Sequence, residues 1–361
     1  MSLIFSCQEL IHNDTNNRSI SAGGRSMTHR ERVRAIIAGH PADRCGFWLG
    51  NPHPDSWPGL HRYFHTSNEE ELRRLLQDDF RWIEPSAAYH HPAGKPIFDV
   101  QRKGKELSTG GYFSDCEDVQ QVEEFDWPDP DYLNFSEVLN RLQNSGDVYR
   151  ASGFWCPFFH DTADFLGMDN YFLKMYTHPQ VVHAITGRII DFYLEANRRL
   201  FTQAGDRIDG FFFGNDFGTQ LDLLISPEML EEFIIPYFKQ LIDLAKSHGK
   251  QVLLHSCGSI FKIIPRLIEL GVNGLHPLQA RAAQMQAENL AAHFQGKIAF
   301  IGGVDTQELL IHSTPPEIKK EVRRLKNTLG PRLIISPSHE AILPDIPPAN
   351  IEAMAQAVIS D

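Results

Sequence analysis

The chain has no apolar run approaching the roughly 20 residues that a membrane span needs. Its N-terminus also lacks the basic, apolar and small-residue succession of a secretory signal. Both absences point to a cytoplasmic protein. Basic charge is scarce: 34 Lys and Arg stand against 46 Asp and Glu, a formal net charge of -12 with no basic cluster of note. That balance excludes nucleic acid or an anionic membrane as the main partner and leaves a small molecule or another protein. Cysteine is scarce too. Cys7, Cys45, Cys116, Cys156 and Cys257 are odd in number and lack a small-secreted-protein spacing, which excludes a disulfide framework and predicts reduced thiols. There is no internal repeat and no low-complexity tract.

What is present is a regular alternation. Residues 1–26 are polar, rich in Asn, Ser and Gly and without periodicity, and predict a loosely ordered extension before a single domain over 27–361. Thr28 and Glu31 have the spacing of a capping box, with Val33, Ile36 and Ile37 as the apolar stripe of a first helix that Gly39 can end. Short apolar stretches at 45–49, 80–83, 149–155, 208–213, 252–255, 272–275, 298–301 and 333–335 predict eight strands. Helical patterns lie between them, at 68–76, 135–142, 179–201, 227–247, 259–269, 283–292, 315–328 and 348–358. Strand and helix alternating eight times predict an α/β fold, a TIM (β/α)₈ barrel, which a 361-residue chain can fill as one domain. The stretch 90–130 breaks the rhythm, and alternation around Thr109-Gly110-Gly111 predicts a β-hairpin insertion there.

The chemistry-bearing stretch is QVLLHSCGS, 251–259, where four apolar residues run into His255 and Cys257. Residues at i and i+2 of a strand share a face, so imidazole and sulfur should converge at the barrel's C-terminal mouth, where such folds keep their sites. The pair reads as half of a metal site. Zn2+ suits an imidazole and thiolate set that keeps one position open. For a third ligand the sequence offers His339 first and Glu340 second. Polar residues follow every predicted strand: Asn51 and His53, Glu84, His160 and Asp161, Asn215 and Asp216, His276 and Gln279, Gly303 and Asp305, and His339 and Glu340. Asp216 in GNDFG is read as a catalytic acid or base or as a partner of a ligand histidine, against a loop-closing turn. Asn215, Gln279, Gly303 and Glu340 are assigned to substrate binding. His160 and His276 receive no role.

The order THRERVRAIIAGHPADR, DDFRW, GNDFGTQLDLLISPEM, LLHSCGSI, GLHPLQ, GGVDTQELL and SPSHEAILPDIPPANI resembles the uroporphyrinogen decarboxylase superfamily. The resemblance implies a TIM barrel with its site at the C-terminal face. It also implies one of two chemistries: cofactor-independent decarboxylation, or zinc-dependent methyl transfer between a corrinoid and a thiol. Where the decarboxylases carry an arginine-bearing segment that grips carboxylates, this chain has GFWLGNPHPDSW, without arginine. The methyltransferase branch carries His-x-Cys-Gly, matched here by His255, Cys257 and Gly258, with a late cysteine whose place corresponds to His339. The reading that follows is a zinc-dependent methyltransferase acting between a corrinoid and a thiol or small methylated substrate. Decarboxylation of a porphyrinogen-like or other carboxylated substrate is one alternative, and non-catalytic corrinoid or tetrapyrrole binding is another. Expected partners are a small-molecule substrate, a corrinoid protein and, as an assembly, a homodimer.

Overall fold

All eight apolar stretches form strands: β1 (Gly46–Phe47), β2 (Phe80–Ile83), β3 (Tyr149–Ser152), β4 (Gly210–Gly214), β5 (Gln251–His255), β6 (Gly274–Leu278), β7 (Ala299–Val304) and β8 (Leu333–Pro337). The structure is a computed structural model that describes residues 26–102, 104–339 and 341–360. Residues 1–25 of the expected extension and Glu340 therefore lie outside the described residues. The strands pair in parallel in the order β1-β8-β7-β6-β5-β4-β3-β2, with helices around them, as an α/β TIM barrel.

The seam between β1 and β2 is bridged by carboxylates as well as backbone. Asp79 N donates to the Phe47 carbonyl at 2.9 Å, and Phe47 N donates to Asp79 Oδ2 at 2.8 Å. Leu49 N donates to Asp78 Oδ2 at 3.3 Å. Such buried charges need partners. Asp79 has Arg32 Nη1 at 2.8 Å, Arg44 Nη1 at 2.7 Å and His29, and Asp78 has Arg73 Nη1 at 2.7 Å.

The same helix that supplies His29 and Arg32 closes the bottom of the barrel. His29–Ala38 begins at the expected Thr28/Glu31 capping box and ends at Gly39, whose φ of 79° is the left-handed region glycine favours. Val33, Ile36 and Ile37 are fully buried against Phe80, Tyr149, Phe212, Leu253, Ile301 and Ile334 from inside the barrel. At about 1.5–3 kcal/mol per buried aliphatic side chain, this plug is a major part of the lower core. Arg30 and Arg34 tie its other side to fully buried Asp209, each at 2.8 Å.

The helices follow the sequence pattern with two physical departures. The pattern over 227–247 forms two helices, Pro227–Phe233 and Ile235–Ser247, because Pro236 has no N–H to continue the first. Pro265 likewise sits at the start of Ile264–Leu270, after a separate 3₁₀ turn Phe261–Ile263. Two helices the pattern did not mark, Phe158–Leu166 and Met168–Thr177, follow β3.

The expected β-hairpin is not formed. Among the described residues, the stretch between Tyr89 and Leu133, which are joined by an antiparallel bridge, holds no strand, only a short helix Val119–Glu123, a 3₁₀ turn Pro130–Tyr132 and irregular chain. Its glycines serve close packing instead of a turn. A Cβ on Gly111 would lie 2.3 Å from the Val100 carbonyl oxygen and 2.5 Å from that of Asp164. The backbone bonds go to the neighbouring helix: Phe113 N to the Phe165 carbonyl at 3.0 Å and Met168 N to the Leu107 carbonyl at 2.9 Å. Phe98, Phe113, Phe125, Trp127 and Phe165 pack together over that junction.

Candidate metal centre at the barrel mouth

β5 ends at His255, and the chain turns immediately afterwards through Ser256, Cys257 and Gly258. Gly258 has φ +83°, and a Cβ there would lie 2.3 Å from the Gly218 backbone. A Cβ on Gly218 would in turn lie 2.6 Å from Ser259 N. Two glycines thus let the loops after β4 and β5 touch, which brings Asp216 beside Cys257. Cys257 N donates to Asp216 Oδ1 at 2.8 Å, and Gly258 N donates to Gln279 Oε1 at 2.6 Å.

The donor atoms converge as the spacing predicts. His255 Nε2 lies 3.3 Å from Cys257 Sγ and 3.4 Å from Asp216 Oδ1, and His339 Nε2 lies 3.8 Å from Cys257 Sγ. Zinc bonds of about 2.0–2.1 Å to nitrogen or oxygen and 2.3 Å to sulfur, arranged tetrahedrally, require donor separations of about 3.3–3.6 Å. The donors of His255, Cys257 and Asp216 all lie within 4.8 Å of one another. In spacing and in chemistry this set fits zinc.

His255 is almost fully buried, whereas the Asp216 side chain keeps 44% of its exposure and faces the mouth. Burial alone would raise the Asp216 carboxyl, but His255 and the Cys257 N–H hold it at about 2, so it is an anion. His255 Nδ1 lies 2.9 Å from Nδ1 of His276, which is fully buried. A cavity of about 270 Å³ opens beside the donors, lined by Trp155, Pro157, His160, Gly214, Asn215 and Asp216. The Trp155 ring meets the His255 ring edge-on at 4.9 Å. Burial pulls the His160 imidazole below its usual value, which favours its neutral form.

The other expected residues sort themselves by what they hold. Asn215 lines the cavity, but its amide accepts from Phe159 N and donates to the Cys156 carbonyl, both at 2.9 Å, which fixes the loops around it. Gln279 supports Gly258. Gly303 lies within β7, and its missing Cβ would point at Leu325 of the outer helix Pro315–Leu329, at 3.3 Å, so strand–helix packing accounts for this glycine. Asp305 caps a turn, accepting from Glu308 N and Leu309 N at 3.0 Å. Glu84 stands apart, in a second cavity of about 170 Å³ with His90, Ser136 and Arg141. Cys45, Cys116 and Cys156 form no disulfide, and burial pushes the Cys156 thiol well up. Among the described residues, no helix is long and apolar enough to cross a membrane.

His160, Trp155 and His276 are the residues to which sequence reasoning gave no site role. A signal for His276 existed: β5 and β6 are neighbours, and His276, in the middle of β6, pairs with His255 at the end of β5.

Comparison with known proteins agrees with this architecture. The chain is 23% identical over 195 residues to the methylcobamide:CoM methyltransferase MtbA of Methanosarcina acetivorans, an alignment covering 54% of this chain and 53% of the relative. It thus spans about half the length of that relative. A solved structure described as a methyltransferase from Methanosarcina mazei superimposes with a TM-score of 0.58 at 15% identity, covering 92% of this chain and 98% of that one, a likeness of fold. Residues 156–360, more than half of the chain and including all the donors above, match the model of the uroporphyrinogen decarboxylase (URO-D) family, to which this chain therefore belongs.

Proposed function

We propose that this protein is a zinc-dependent methyltransferase that moves a methyl group between a corrinoid and a thiol. The observation that carries the reading is the donor set: Cys257 Sγ lies 3.3 Å from His255 Nε2 and 3.8 Å from His339 Nε2, and the Asp216 carboxylate lies 3.4 Å from His255 Nε2 and within 4.8 Å of the Cys257 sulfur. His255 and Cys257 would hold the metal, with Asp216, which groups with both, or His339, 3.8 Å from the Cys257 sulfur, as the third donor. Zinc bound there lowers the pKa of a coordinated thiol from its free value of about 8.5, so that the thiolate is present at neutral pH. Asp216 holds the Cys257 backbone in place and directs its charge toward the reacting centre. Trp155 and buried His276 shield His255 from water.

The cavity beside the donors, about 270 Å³, has room for a small thiol. In this reading the corrinoid presents its methyl group from outside the mouth, delivered by a carrier protein. In that direction a sulfur–carbon bond forms, the cobalt–carbon bond breaks with its electron pair left on cobalt, and the thiol proton leaves to solvent. The relative named as a methylcobamide:CoM methyltransferase supports this choice. Decarboxylation of a carboxylated substrate is the weaker reading: among the described residues, the cavity lining holds carboxylate, amide, imidazole and indole groups but no Lys or Arg to pair with substrate carboxylates. Binding without turnover would not call for an imidazole–thiolate set.

The test is to mix zinc-loaded protein with methylcobalamin and a panel of small thiols, following loss of the methylcobalamin absorbance and appearance of the thioether by mass spectrometry. Zinc-dependent thioether formation is expected. No transfer to any thiol from a fully loaded protein would overturn the reading.

A further inference from the structure

We infer that His276 is the positioning residue of this metal centre, fixing the tautomer and ring plane of His255 so that Nε2 presents its lone pair beside Cys257. The inference rests on the zinc reading above. A neutral imidazole carries one proton, and a ring bound to a metal through Nε2 must carry it on Nδ1. That Nδ1–H is then positioned by whichever acceptor faces it.

The fold supplies one. His255 Nδ1 and His276 Nδ1 are 2.9 Å apart, the ordinary length of a hydrogen bond between ring nitrogens, and one proton must lie between them. If His255 donates, His276 accepts at Nδ1 and carries its own proton on Nε2. His276 is held for this task. It is fully buried, pairs in register with His255 across β5 and β6, and accepts from Ser256 N through its carbonyl at 2.8 Å. Trp48 and Phe212 pack on its ring at 5.0 and 5.4 Å between centroids, so it cannot swing away. Ligand histidines elsewhere mostly use a carboxylate or a backbone carbonyl as this partner. An imidazole partner keeps the pair neutral inside an apolar barrel, where a second carboxylate near Asp216 would be costly.

Two variants separate hydrogen bonding from packing. His276→Asn keeps an acceptor oxygen close to the position of Nδ1, while His276→Leu fills similar space without one. Zinc affinity, measured by competition with a chromophoric chelator, is expected to fall roughly 10–100-fold in His276→Leu and to stay within a few-fold of wild type in His276→Asn. Leu equal to wild type, or Asn as weak as Leu, would overturn the inference. In zinc-loaded wild type, nitrogen-15 NMR of the histidine rings should show His276 protonated on Nε2, and protonation on Nδ1 would overturn the inference without recourse to any variant. Failure of wild type itself to bind zinc would instead overturn the proposed function.

Discussion

Replacing Asp79 by Ala should weaken the barrel and leave the metal centre intact. Asp79 is fully buried and lies at the start of β2, at the end of the barrel opposite the mouth. The substitution takes one acceptor from the largely buried guanidinium groups of Arg32 and Arg44 and from the Phe47 N–H, while Arg32 keeps Asp43 and Arg44 keeps the Cys45 carbonyl. Breaking a buried, hydrogen-bonded pair by removing one partner destabilises by about 3–5 kcal/mol. An unfolding entropy of about 2.1 cal/mol/K per residue gives about 0.76 kcal/mol/K for 361 residues, so Tm should fall by about 4–7 °C. Burial alone would raise this carboxyl, but hydrogen bonds from His29 and Arg44 and the charge of Arg32 hold it below 3.8. Its support is therefore complete above the unfolded-state value of about 3.9 and disappears as the pH falls through the lower folded-state value. Calorimetry with zinc analysis of the same samples is the assay. A Tm loss under about 2 °C would show that Asp43 and the Cys45 carbonyl are partners enough for the two arginines. Loss of zinc from a folded variant would show that the bottom of the barrel governs the mouth.

Asp161 should behave in the opposite sense with pH. Burial raises its carboxyl to about 7, against the hydrogen bond from Tyr193. The folded state therefore resists its ionisation, and a penalty absent below about pH 4 grows up to pH 7 and is constant above. The Tm of Asp161→Asn relative to wild type should rise across that window in thermal melts, and an equal difference at pH 4 and pH 8 would refute the assignment. Replacing His339 by Ala should lower zinc affinity by more than the roughly 10–100-fold that loss of an outer hydrogen-bond partner costs. Unchanged affinity in the chelator competition would remove His339 from the donor set and leave Asp216 as its third member.

Much of this was legible in the sequence, for reasons of local periodicity. The strands of a parallel barrel are buried on both faces, so each is a short apolar run, and the capping box at Thr28 and Glu31 is complete within four residues. His255 and Cys257 converge because strand side chains alternate. What local pattern could not convey is contact across the fold. The glycines at 110 and 111 were read as a hairpin turn, because nothing nearby shows that Asp164 and Leu166 press against them. The same holds for Asp78 and Asp79 at the β1–β2 seam, for Gly218 against Gly258, and for His276 beside His255. Each is a pairing between distant segments that only the closed barrel reveals.

The central claim is that His255 and Cys257 are donors of a zinc centre, and the most direct test is elemental analysis of untagged protein purified without added metal, compared with Cys257→Ser. The account predicts about one zinc per chain in wild type, in keeping with one donor set, and its loss from a variant that keeps its fold, because Cys257 lies beyond the end of β5 and outside the core. A folded wild type that neither contains nor takes up zinc, or a Cys257→Ser protein that retains it in full, would contradict the account.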